Sequence, residues 1–75
     1  MEREKDRVKF VELAEKRVSR AIKDIRLIGN LSNKSNYSYT EEDVRKITRA
    51  LEAEVKKLKQ RFESHGVADE VIFKL

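Results

Sequence analysis

The sequence predicts an all-α protein, an antiparallel helical hairpin that dimerises into a four-helix bundle. Three observations carry this reading. The 75 residues include no Pro and only two Gly, so little in the chain interrupts a helix. Two long segments repeat apolar residues at spacings of three and four, and one turn-rich stretch separates them. A chain of this length encloses a small core, which makes pairing with a second copy the expected route to stability. We expect one domain over residues 1–75, with helix 1 at about 5–28, a connector at 29–40, helix 2 at about 41–65 and an apolar tail at 67–75.

In helix 1, residues up to Arg7 form a mixed-charge lead-in that is expected to fray. Beyond it Val11, Ala14, Val18, Ala21, Ile25 and Ile28 fall at the a and d positions of a heptad, and Val8 and Ile22 widen the stripe at e. The alanines at successive d positions allow a partner backbone to come close. Helix 1 is expected to end at Gly29, placed to adopt the left-handed conformation that closes many helices.

The connector holds three consecutive Asn-x-Ser triplets, from Asn30 to Ser38. They match the glycosylation acceptor pattern, but local Asx and Ser turns explain the composition more simply. Leu31 and Tyr37 are expected to fold back over the end of the helix pair. The other reading is a recognition loop carrying Lys34, Tyr37 and Tyr39.

Helix 2 opens on Thr40 as N-cap. Asp43 stands three residues later as a capping-box acid, Glu41 and Glu42 lie beside the positive end of the helix dipole, and Tyr39 with Val44 suits a hydrophobic staple. Val44, Ile47, Leu51, Val55, Leu58 and Phe62 form its apolar stripe. Gly66 is the expected C′ residue, which makes Phe62 and Val67 the apolar pair of a Schellman motif. The tail is expected to return beside Val8, Phe10 and Leu13, offering Val71, Ile72, Phe73 and Leu75. Glu42 with Lys46 and Glu52 with Lys56 have favourable i, i+4 spacing, and Glu54 is expected to meet Arg17 across the hairpin.

The reactive inventory is sparse. Cys is absent, and the single His65 has only Asp69 nearby, too few groups for a metal site. No Gly-rich phosphate loop or nucleophile elbow occurs. We therefore expect no enzyme activity, cofactor, metal or small-molecule substrate. The residues around Met1 are densely charged and the longest apolar run is three residues, so neither an export signal nor a membrane span is expected, and a cytoplasmic protein is.

Two functions remain. The first is a protein–protein interaction module that homodimerises through the two stripes and offers its tail to another protein. The second is binding of RNA or DNA by the outer face of helix 1. The chain carries a formal net charge of +4, and Lys9, Lys16, Arg17, Arg20 and Lys23 are the candidate phosphate contacts. Such a dimer is similar in architecture to the Rop-type hairpins that bind RNA loops, without a shared sequence motif. An ordinary solvated helix surface explains the same basic line, with Glu12 four residues before Lys16. The interaction module is the favoured reading.

Overall fold

The computed structural model describes residues 2–66, with side chains from residue 3 onward. The described residues are all helical apart from turns and extended backbone, with no strand. Helix α1 runs Glu2–Gly29, a short 3-10 helix follows at Asn30–Ser32, and α2 runs Glu41–Glu63. The chain divides into two units, one up to Ser38 and one from Tyr39.

In the first unit α1 is longer than predicted at both ends. Its start at Glu2 takes in the lead-in expected to fray, because the first turn includes Glu4, where the helix dipole favours a carboxylate, and the residues around it are good helix formers. At the other end Gly29 has φ −58° and ψ −30°, ordinary right-handed helical values, so the expected left-handed stop is corrected. Glycine permits that conformation without imposing it. The chain instead passes through Gly29 into the 3-10 turn and leaves helical geometry at Asn33, with φ −70° and ψ 100°.

Asn33 ends the helix by gathering its own local hydrogen bonds. Its side-chain Oδ1 accepts from the Ser35 amide at 3.1 Å and from the Ser35 hydroxyl at 2.6 Å. Its carbonyl accepts from the amides of Asn36 at 3.1 Å and Tyr37 at 3.0 Å. These are the Asx-type turns expected of the Asn/Ser triplets, and they offer the backbone an alternative to another helical turn.

In the second unit α2 starts as predicted. Thr40 is extended and its hydroxyl accepts from the Asp43 amide at 3.1 Å, while the Asp43 carboxylate accepts from the Thr40 amide at 2.9 Å. Two amides that the first turn would leave without partners are thus satisfied. Tyr39, the staple residue, is partly buried.

The far end of α2 carries a Schellman motif, displaced one residue from its predicted place. Ser64 is the C-cap, His65 is C′ and Gly66 is C″. The His65 amide donates to the Phe62 carbonyl at 3.1 Å and the Gly66 amide to the Arg61 carbonyl at 2.8 Å. Both terminal residues are left-handed, with φ +56° at His65 and +85° at Gly66. The cap therefore uses a non-glycine C′, a position that His tolerates better than most residues. Gly66 thus occupies C″ and not the predicted C′. Val67 and the rest of the tail lie outside the described residues.

No described residue is fully buried. In the first unit Val11, Leu13, Ala14 and Ile28 are partly buried, and in the second Tyr39, Leu51 and Ser64 are. Leu31 and Tyr37, expected to cap the helices, remain 47% and 49% exposed.

Candidate interaction surfaces

Each helix presents one unbroken apolar stripe. On α1 it comprises Val11, Ala14, Val18, Ala21, Ile22, Ile25 and Ile28, and the helix passes through all of them without a kink residue. Val18, Ile22 and Ile25 stay substantially exposed. On α2 it comprises Val44, Ile47, Leu51, Val55, Leu58 and Phe62, and exposure ranges from 41% at Ile47 to 62% at Phe62 with Leu51 the partly buried member. Side chains of this kind gain about 1.5–3 kcal/mol each when taken fully out of water. Both stripes are therefore suited to a covering partner.

On the face of α1 about 180° from its stripe, at 100° per residue, lie Lys9, Lys16, Arg20 and Lys23. All four are exposed. Arg17 falls about 90° off that line, at the border of the apolar stripe. It is the one candidate phosphate contact that the helix geometry moves toward the seam. Conversely, Lys5 joins the line, because α1 is already helical there and Lys5 stands four residues before Lys9. The i, i+4 spacing of Lys5 and Lys9 is present in the sequence, but only a helix that is formed at Lys5 gives it meaning.

The remaining side chains of these faces are held locally. The Arg7 guanidinium lies 5.8 Å from the centroid of the Phe10 ring, one turn away, a cation–π arrangement at a position expected to meet the tail. Glu42 pairs with Arg45 rather than with the predicted Lys46, since both Nε and Nη2 reach one carboxylate oxygen, at 3.3 and 2.9 Å. Glu54, expected to meet Arg17, has its carboxylate 3.6 Å from Lys57 of its own helix. Both pairs are more than half exposed, so each contributes about 0–1 kcal/mol. Thr48 turns its hydroxyl back to the carbonyls of Val44 and Arg45, at 3.0 and 3.2 Å.

His65 serves the helix cap through its backbone, and Asp69, its suggested companion, lies outside the described residues. Among the described residues no three side chains of metal-binding type come together. No helix of the described residues is long and apolar enough to cross a membrane. No protein-family model matches the chain, and comparison with curated proteins and with solved structures gives no significant match.

Charge is distributed unevenly along both helices. Residues 2–15 hold five acids and four bases, a net of −1, whereas residues 16–29 hold five bases and Asp24, a net of +4. Residues 41–54 hold five acids and three bases, a net of −2, and residues 55–63 hold four bases and Glu63, a net of +3. Each helix is therefore acidic to neutral in its first half and basic in its second.

Proposed function

We propose that the protein is a small helical interaction module that acts by self-association, without catalytic chemistry of its own. The carrying observation is the pair of continuous apolar stripes, on helices of 28 and 23 residues, whose large side chains remain about half exposed. A stripe covering one face of a helix is satisfied by another helix. In this reading α1 and α2 pair as an antiparallel hairpin, and a second copy closes the core as a homodimeric four-helix bundle. The charge distribution supports the antiparallel pairing, because it sets the basic half of one helix beside the acidic half of the other.

Sedimentation equilibrium across a range of concentrations tests the reading. A mass of two 8.9 kDa chains supports it. A single chain at all concentrations, with helix content retained, refutes it.

A second reading rests on the basic line of α1. With Lys5 included it runs from Lys5 to Lys23, about 27 Å at 1.5 Å per residue, and it lies on the face opposite the seam. That face stays accessible when the seam is covered, so a dimer presents two such lines to the phosphates of RNA or DNA. Fluorescence anisotropy of labelled hairpin RNA and duplex DNA tests this. Affinity should fall linearly in log–log form with salt, and a salt-independent or absent signal removes the reading.

A further inference from the structure

We propose that the second copy docks through α1 itself, with the two α1 helices antiparallel in one defined register. The inference rests on the self-association reading above and names the surface, orientation and facing residues of the partner copy. In an antiparallel pair each a residue faces a d residue of the other helix. One register seats Val11 against Ile28 of the partner subunit, Ala14 against Ile25 of the partner subunit and Val18 against Ala21 of the partner subunit. The two-fold axis repeats all three layers. Every layer is apolar, and both alanines face a larger β-branched side chain, so the seam fills evenly.

The neighbouring registers fail on the same residues. Sliding by one heptad in one direction puts Ile25 opposite Arg7 and Ile28 opposite Glu4. Sliding the other way puts Val11 opposite Ser35 and Ala14 opposite Ser32, polar residues of the connector. A parallel pair would stack Ala14 on Ala14 and Ala21 on Ala21, leaving thin layers beside thick ones. It would also lay two halves of net charge +4 side by side, whereas the antiparallel pair sets +4 beside −1.

The border of the seam agrees with this register. Arg17 and Asp24 are both g residues, seven apart, and the register brings each beside the other's counterpart, giving two symmetric opposite-charge pairs. On the same border Phe10 comes level with Leu31 of the partner subunit. These two large apolar side chains lie off the main stripe and are 48% and 47% exposed. The continuous helical path through Gly29 is what carries Leu31 to that level.

The absence of cysteine makes the test clean. Ala14→Cys and Ile25→Cys variants are oxidised separately and as a co-refolded mixture, with the mass of the unmodified protein measured first. A dimer in which disulfide forms only in the mixture supports the proposal. Like positions in this register lie 11 residues apart, about 16 Å along the axis, beyond disulfide reach. Disulfide in each variant alone indicates a parallel pair and overturns it, and a dimer with no disulfide in any sample overturns α1–α1 contact. A monomeric unmodified protein refutes the self-association reading itself, a distinct failure. Charge exchange provides a check that leaves the core untouched. Asp24→Arg should weaken dimerisation about tenfold, and the double variant Arg17→Asp, Asp24→Arg should recover most of that loss. No weakening, or no recovery in the double variant, overturns the register.

Discussion

Thr40 and Asp43 exchange two hydrogen bonds, each side chain accepting the other's amide, at 3.1 and 2.9 Å. This reciprocal pair sets where α2 begins, and Val44, the next residue, is the first member of its apolar stripe.

Removing one arm of the box should therefore destabilise the protein. Thr40→Ala is expected to cost about 1 kcal/mol, within the range of about 0.5–2 kcal/mol for absent N-caps. Asp43→Ala should cost less after Thr40→Ala than alone, because the two bonds act together. Urea unfolding followed by far-ultraviolet circular dichroism measures both.

The two glycines should respond in opposite directions. Gly29 is helical, and nothing lies within 4 Å of where a Cβ would stand, so Gly29→Ala should stabilise by about 0.5–1 kcal/mol. Gly66 has φ +85°, so Gly66→Ala should destabilise by about 1–2 kcal/mol despite the equally open space. Thermal unfolding of the two variants side by side checks the signs. A destabilising Gly29→Ala would mean that the glycine is left-handed after all.

His65→Gly should stabilise by about 0.5–1 kcal/mol, because it relieves a left-handed non-glycine residue while keeping the amide that donates to Phe62. His65→Val should destabilise, since β-branching is poorly accommodated at φ +56°. Chemical denaturation of both variants reads the difference.

Self-association predicts that the thermal midpoint rises with protein concentration, as for any folded state that is linked to assembly. Ile47→Asp, which puts a carboxylate into the α2 stripe, should shift the mass to a single chain and remove that concentration dependence. Sedimentation and calorimetry on the variant provide the two readouts.

The basic line predicts a separable effect. Reversal of Lys16, Arg20 and Lys23 to Glu should leave dimer mass and helix content unchanged, because these residues lie opposite the seam. Nucleic-acid binding should fall at least tenfold, and the magnitude of its log–log salt slope should drop by about one for each phosphate no longer neutralised. Binding that survives the reversal assigns phosphate recognition to other residues.

Much of the chain was legible from local rules. The N-terminus of α2 was readable because Thr40 and Asp43 are three residues apart and their side chains have few better partners than the backbone beside them. The two stripes were readable because a 3.6-residue repeat has one simple structural meaning over segments this long. The ends of α1 were harder. Gly29 permits both helical hands, so its identity alone did not say whether the helix stopped there or four residues later at Asn33. His65 was overlooked for the parallel reason that Gly66 is the more familiar left-handed residue, although the cap places both there.

The candidate surfaces divide in the same way. Spacing alone put Lys9, Lys16, Arg20 and Lys23 on one line, which Leu13 and Leu27 share, and the residues of the apolar stripe on the other, because side-chain direction in a helix follows from residue number. The sequence by itself determined the helical class, the two stripes and the α2 N-cap, all consequences of interactions within a few residues. Only the three-dimensional structure decided that α1 begins at Glu2 and passes through Gly29, that Lys5 joins the basic line, and that Glu42 takes Arg45 in place of Lys46. Those outcomes are small differences between local conformations and partners of nearly equal energy, which residue identity leaves undecided and folded backbone geometry resolves.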